Sequence, residues 1–458
     1  MANTLVTAMQ ISRSPAGRCR SRTVVFAAKR TKMAKAPFSK ERIMVKETAR
    51  VFVQTAKTDL PSLDRWVQVG EEEAKLAYDM VMRNELSGGT GVVREFEASW
   101  REFTGLNYAM TINNGTSAIF AALFGLGVGP GDEVICPTFT WIGSISPAPF
   151  LGARPVFCES DPETLLIDPG DVRKKITPKT KAIIAVHLWG NVCDMDALMD
   201  VSRETGIPVI EDCAHSHGAT YKGKITGSIA DAGAWSLQGS KAVSGGEAGV
   251  IATNNPGVFD RACLVGQVNR MVGMDLMTDS YERYQPLGTG MKFRAHPIAI
   301  GIASIQLKKL GKLNKGRGKW IESIENGIAD ISFLRRVKVY DGAQRGGFYG
   351  FPVHFVPEKC KVDVREFIQA LREEGVTASP CGYPLLHTLP YFAEGFDLFT
   401  RNRGPLIENY PGYKLGDFPI TEKAVSNLIF MPLLTDPIEG ADEWILDRIH
   451  KVAERLGD

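Results

Sequence analysis

The chain has 458 residues, 44% of them hydrophobic and 23% charged, with 46 Gly and 25 Pro, a composition that excludes collagen-like, coiled-coil and wholly disordered chains. No apolar run reaches the roughly 18–20 residues that a bilayer span needs. The net charge of +2 is unevenly spread: residues 1–40 hold nine basic residues and no acidic one, so the remaining 418 carry 52 acidic against 45 basic, a net of −7, and a nucleic-acid surface spread over the fold is excluded.

The length fits two or three domains, or one large α/β domain with a smaller companion. Residues 1–40 are rich in Ser, Thr, Arg and Lys and free of acid, the character of an organelle transit peptide, with a plastid ahead of a mitochondrion. A secretory signal would need a continuous apolar core of about 7–15 residues, which is absent. Val24-Val25-Phe26-Ala27-Ala28 is the expected processing region and Met33 an alternative start. The competing readings are a disordered tail or a mis-assigned start in a bacterial gene, which implies a cytoplasmic protein. Residues 41–65 read as a loosely helical lead-in.

Short β-branched or apolar runs then recur at 108–113, 133–138, 154–158, 181–188, 208–213, 233–238 and 249–253. Amphipathic or Gly-punctuated segments separate most of them, with helices expected over 117–126 and 195–205. Seven strands with helical crossovers predict an α/β fold, a mostly parallel sheet covered on both faces. A long helix near 298–313 leads to a second region, with a strand over 347–356 and helices over 364–374 and 442–456. The expected organisation is a large α/β domain over 66–315 and a small C-terminal α+β domain over 316–458, with loop-like insertions at 281–290 and 396–413 and no internal repeats.

The eight cysteines, Cys19, Cys136, Cys158, Cys193, Cys213, Cys263, Cys360 and Cys381, show no CxxC spacing, and most lie in strand-like runs. Buried thiols in a reducing compartment are expected, with no metal site and no disulfide framework.

The Gly-rich run 125–131 does not fit GxGxxG and ends a helix, whereas a dinucleotide fingerprint opens one; no GxxxxGK[ST] occurs either. Asn114-Gly115-Thr116-Ser117 is a better anion site, because it follows a strand and opens a helix whose first N–H groups are free. Taken alone it is more often a simple helix cap. Val209-Ile210-Glu211-Asp212-Cys213-Ala214-His215 places an acid at the end of a buried strand, the edge where open α/β sheets bind ligands, with a helix N-cap as the competing reading. Trp235-Ser236-Leu237-Gln238-Gly239-Ser240-Lys241 carries a lysine out of a strand into the Gly-rich run 245–249. Such a lysine is ordinarily solvated; in a dry cationic site it loses pKa and becomes a nucleophile. Phosphate anchor, carboxylate and lysine, in that order, are the parts that pyridoxal 5'-phosphate requires.

Across about residues 86–456 the chain resembles the DegT/DnrJ/StrS family of PLP-dependent aminotransferases, which act mainly on keto-sugars and keto-cyclitols. The resemblance implies the type I fold of PLP-dependent transferases, aspartate-aminotransferase-like, with a seven-stranded mostly parallel sheet. It makes Lys241, five residues after Ser236 as in SFxxxK, the Schiff-base lysine. Ser236, Gly115 and Thr116 would hold the phosphate, and Asp212 would pair with the pyridine N–H. His215, in place of the usual Gln, would contact the ring oxygen. Trp141, in Pro137-Thr138-Phe139-Thr140-Trp141, would stack on the ring; the competing readings are a core Trp141 and a structural His215. The segments Gly266-Gln267-Val268-Asn269-Arg270 and Gly290-Met291-Lys292-Phe293-Arg294 depart from the family's RNHGR and GxNxR. In relatives they reach a neighbouring subunit's cofactor site or the substrate. Lys292 and Arg294 are therefore candidates for an anionic group of donor or acceptor. Ser87-Gly88-Gly89-Thr90-Gly91 and Gly382-Tyr383-Pro384-Leu385-Leu386-His387 look most like the branch of scyllo-inosose aminotransferases and aminohydroxybenzoate synthase, which adds His387 as a substrate candidate. The implied partners are glutamate or glutamine as donor, a keto-sugar or keto-cyclitol acceptor and a second copy of the chain. Two alternatives stand beside transamination: a dehydratase or aromatising lyase of the aminohydroxybenzoate type, and a non-catalytic sensor.

Overall fold

A computed structural model describes residues 63–89, 91–268 and 276–457. The leader at 1–40, most of the lead-in at 41–65, and Thr90, Asn269 and Arg270 lie outside the described residues. Seven runs of buried β-branched and small residues form the central sheet: β1 (Tyr108–Ile112), β2 (Glu133–Pro137), β3 (Arg154–Cys158), β4 (Thr180–Val186), β5 (Val209–Asp212), β6 (Ala232–Ser236) and β7 (Gly249–Thr253). Their order is β1-β7-β6-β5-β4-β2-β3. Strands β2 to β6 pair in parallel, and β7 runs antiparallel to both β1 and β6. This matches the mostly parallel α/β sheet expected from the sequence. Continuous burial of β5 and β7, and of β4 from Ala182 on, reflects cover on both faces. No helix among the described residues is long and apolar enough to cross a membrane.

Helices open where polar caps precede apolar runs. Asn114 accepts from the Ser117 N–H at 2.8 Å and starts the helix Gly115–Gly125; Asp194 caps Met195–Thr205, which ends on left-handed Gly206. The Gly-rich run after Gly125 is a turn, as read from the sequence. The long helix Pro297–Gly327 runs unbroken through residues 315 and 316. Its first half packs Ile300, Ala303 and Leu313 against the sheet-side core, and its second half packs Trp320, Ile321 and Ile324 into a second core. That core covers a four-stranded antiparallel sheet of Leu334–Arg336, Pro352–Phe355, Leu428–Phe430 and Ser379–Pro380. The strand expected over 347–356 begins only at Pro352, because Gly347 and Phe348 have φ of 71° and 44°, outside the extended region.

Strand β5 ends in two adjacent carboxylates that face opposite ways. Glu211 is fully buried and accepts from the N–H groups of Gly227 (2.7 Å), Ile229 and Ala230 (both 2.8 Å). It also accepts from His187 Nε2 at 3.0 Å. Because the Cys193 N–H donates to His187 Nδ1 (3.1 Å), the ring proton sits on Nε2. Cys213 lies beside this pair as a free thiol that burial pushes up to about 11. Glu211 thus ties the 227–230 turn beneath the strand that carries Asp212. Glu211→Ala would leave the buried Gly227 N–H and His187 Nε2–H and two half-buried N–H donors without their acceptor, so a loss of roughly 3–5 kcal/mol is expected. It would be read as a lowered unfolding midpoint in denaturant titration; an unchanged midpoint would contradict this role.

Candidate active site

The C-terminal ends of β1, β5 and β6 meet at one edge of the sheet, and the chain segments leaving them carry the sequence-predicted residues. The terminus of the helix Gly115–Gly125 abuts Ser236: a Cβ on Gly115 would stand 2.6 Å from Ser236 Cβ, so only glycine permits the approach. The Gly115 and Thr116 N–H groups precede the first intrahelical bond and have no partner among the described residues, leaving them to an anion. Asn113 Oδ1, beside them, is buried and unpartnered.

Asp212 is buried at the end of β5. Its Oδ2 accepts from Ser144 Oγ at 2.6 Å and its Oδ1 from the Ala214 N–H at 3.0 Å. Thr140 Oγ1, 3.0 Å from Ser144 Oγ, completes the chain of hydroxyls. Lys241 is 8% exposed, and burial lowers its ammonium to about 7 against the opposing pull of Asp212. Its loop is fixed from below by His217, whose Nδ1 accepts from the Val243 N–H at 3.0 Å.

His215 is buried, with Nδ1 accepting from the Trp189 N–H at 3.3 Å, so Nε2 carries the proton and faces Tyr383 Oη at 3.4 Å. Burial, and then the Lys241 charge, holds His215 neutral, well below its ordinary pKa. Trp141 is 53% exposed, its ring 5.5 Å from that of Tyr383.

Gly115, Thr116, Trp141, Asp212, His215, Ser236 and Lys241 therefore all leave the sheet at this one edge. Lys292 and Arg294 approach it too: the Asn113 N–H donates to the Phe293 C=O at 2.6 Å, and Lys292 bridges to Gln267. Gln267 is buried and donates from its Nε2 to the Thr111 carbonyl at 3.2 Å, inside its own chain. His387 differs from the rest. It is fully buried, with Nδ1 2.6 Å from Thr138 Oγ1 and Nε2 3.0 Å from Glu422 Oε1, so neither ring nitrogen is left for a substrate.

Sequence reading missed two aromatics, Tyr349 and Trp189, and quoted Tyr383 only as part of a motif. Tyr349 lies under Lys241, with Nζ 3.6 Å from its ring centroid, and stacks on His215 at 4.1 Å. Trp189 adjoins both rings, 5.1 Å from His215 and 6.0 Å from Tyr349, and meets Tyr383 at 4.7 Å. The only local signal for Tyr349 was the Gly346-Gly347 pair before it. A separate cavity of about 630 Å³ lies at the opposite edge, where Glu133, Arg154 and Lys179 face Phe399 and Arg403; it touches none of these groups.

Free N–H groups at a helix start, a carboxylate with spare lone pairs and a dry lysine suit a phosphorylated, aldehyde-bearing pyridine. The comparisons agree. The DegT/DnrJ/EryC1/StrS aminotransferase family model matches residues 67–436. The chain is 34% identical to GDP-perosamine synthase of Caulobacter vibrioides over 301 residues, 65% of this chain and 78% of that one. The aminotransferase of Psychrobacter cryohalolentis superposes with a TM-score of 0.76 at 25% identity, covering 86% of this chain and 99% of its own. 3-Amino-5-hydroxybenzoic acid synthase gives 0.72 at 25% identity, with the same coverage. The fold, the cofactor and the class of reaction thus converge, and the chain belongs to the DegT/DnrJ/EryC1/StrS family of PLP-dependent aminotransferases.

Proposed function

We propose that this aminotransferase moves an amino group from glutamate or glutamine to a keto-sugar or keto-cyclitol, with Lys241 as the amine that binds the cofactor. The observation that carries this reading is the placement of Lys241: a buried amine near neutrality, beside Asp212 at the ligand-binding edge of the sheet. Likeness to GDP-perosamine synthase supports a sugar acceptor over an aromatic one, since it is the higher of the identities.

Bound pyridoxal phosphate supplies an aldehyde for amines and a pyridinium ring that withdraws electrons from the donor's α-carbon. The Gly115 and Thr116 N–H groups and the Ser236 hydroxyl would hold the phosphate. Asp212, oriented by Ser144, keeps a proton on the ring nitrogen. His215 would present its Nε2–H to the ring oxygen, and Trp141 would cover the ring face. Lys241 Nζ takes the α-proton of the donor and returns one to the acceptor. Tethering on the chain makes that transfer effectively intramolecular. Lys292 and Arg294 are the cations placed for an anionic group of donor or acceptor.

A second copy of the chain fits the same reading. Tyr78, Val81 and Met82 lie at i, i+3 and i+4 on the helix Glu71–Met82 and are 65%, 50% and 67% exposed, an apolar stripe that a homodimer would cover.

Lys241→Ala should lose the visible band of lysine-bound cofactor and all steady-state transfer from glutamate or glutamine to keto-sugars and keto-cyclitols, followed by mass spectrometry. Turnover retained in that variant, or elimination of water without amino transfer in the wild type, would reject the proposal. Cofactor capture by the stripped protein needs the neutral amine. Its rate should therefore rise about tenfold per pH unit on approach to 7 from below, then level; a flat profile between pH 5.5 and 8, roughly the window where such a group titrates, would contradict a lowered lysine. Tyr78→Glu combined with Met82→Lys should halve the mass seen by light scattering.

A further inference from the structure

The amine of Lys241 rests on a residue that no cofactor motif contains. Tyr349 comes from the chain segment that leads into the small C-terminal sheet, and its ring makes three contacts at once. Lys241 Nζ lies 3.6 Å from its centroid. The His215 ring stacks on it at 4.1 Å with an interplanar angle of 13°. Its hydroxyl stands 3.1 Å from Ser240 Oγ, the side chain just before the lysine.

This placement is built, since two side chains one turn apart on the long helix hold the residues before Tyr349. Asn314 Oδ1 accepts from the Gly347 N–H at 2.8 Å, while its Nδ2 donates to the His217 carbonyl at 2.9 Å. Arg317 Nη1 donates to the Gly347 and Phe348 carbonyls at 3.0 and 3.1 Å, and its Nε to Thr435 Oγ1 at 3.0 Å. Gly347 has φ of 71°, and a Cβ there would stand 2.5 Å from the His215 carbonyl oxygen. The buried Phe348 ring pins the next residue. Helix, His215–His217 loop and strap are thus locked together, and Tyr349 is delivered at a fixed height under the amine.

We propose that Tyr349 is the positioning residue of the Lys241 amine: the negative face of its ring holds the ammonium in place while the lysine is not bonded to the cofactor. A cation on an aromatic face in a desolvated site is favoured by electrostatics with the ring quadrupole. The other titratable groups near the amine are the Asp212 carboxylate from β5 and the neutral His215 and His217 from the loop after it; the Tyr383 ring stands beyond, 6.1 Å from that of His215. Of these only Asp212 is charged, and it is common to every variant below. The ring and the carboxylate therefore oppose the burial that would otherwise strip the proton from the amine. The inference rests on Lys241 being the reacting amine.

The test follows the protonation of Lys241 itself, in the full chain stripped of cofactor. An amine-reactive sulfonate label is applied across a pH series, and the labelled Lys241 peptide is quantified by mass spectrometry. Tyr349→Phe keeps the ring face and should keep the wild-type midpoint. Tyr349→Leu keeps the site apolar but removes the quadrupole, and should lower the midpoint by about 0.4–1.5 pH units. Successively fluorinated phenylalanines at position 349 keep the shape, weaken the quadrupole and should lower the midpoint stepwise. This series decides the matter if the leucine variant does not fold. A midpoint that is constant across the fluorinated series, or that does not fall in Tyr349→Leu, overturns the proposal. Amino transfer is not read in this experiment, so a flat series leaves the functional assignment standing, and a failed assignment leaves the titration interpretable.

Discussion

An amine kept out of water is the constraint around which the rest of the molecule is arranged. Burial disfavours the ammonium form, and for Lys241 it wins over Asp212 and brings the group near neutrality. A lysine in that state serves as both nucleophile and proton carrier, because neither charge form is strongly preferred. Maintaining it requires walls that exclude water without offering a full counter-charge at contact distance. The sheet edge supplies one carboxylate, and the loop after β5 supplies two imidazoles that burial keeps neutral. The segment entering the small sheet supplies an aromatic face.

Those walls come from parts of the chain far apart in sequence, and the long helix Pro297–Gly327 joins them. Its first half belongs to the core against the large sheet and its second half to the core of the small one. Asn314 and Arg317 sit between these two stretches and bond to backbone on both sides, at His217 in the loop after β5 and at Gly347 and Phe348 ahead of the four-stranded sheet. These hydrogen bonds tie the loop after β5 to the segment that carries Tyr349, so the amine's aromatic support is fixed to the same helix as the loop beneath it.

The parts of this architecture that were legible in the sequence are those fixed by short-range pattern. Buried β-branched runs marked all seven strands of the sheet, and their ends lay within about two residues of those observed, the usual fraying of an element boundary. The strand–cap–helix pattern at Asn114 and the acid ending β5 depend on neighbours two or three residues away, and they marked the edge where the site lies. Tyr349 was not legible. Its position depends on left-handed backbone at Gly347 and Phe348 and on two helix side chains some thirty residues upstream, which is tertiary information. The same cause displaced the expected strand start from 347 to Pro352. His387 illustrates the reverse case. A motif likeness brought it forward, but Thr138 and Glu422 occupy both of its ring nitrogens, and neither partner is near it in sequence.

The adjacent acids of β5 show how one strand serves structure and chemistry without conflict. Strand alternation turns Glu211 and Asp212 to opposite sides, and the difference between them is a matter of lone pairs. A carboxylate offers about four acceptor positions. Glu211 fills four, with three turn N–H groups and His187 Nε2–H. It has no capacity left for a ligand, and the neighbouring His187 and Cys213 gain none from it as a metal site, since the His187 Nδ1 is likewise taken. Asp212 accepts from two donors, Ser144 Oγ and the Ala214 N–H, which orient the group and leave acceptor positions free for a protonated ring nitrogen. Saturation of one acid fixes the strand; incomplete saturation of the next leaves the site chemically open. A one-residue slip of β5 would exchange the two, leaving the turn unpaired and the site without its acid.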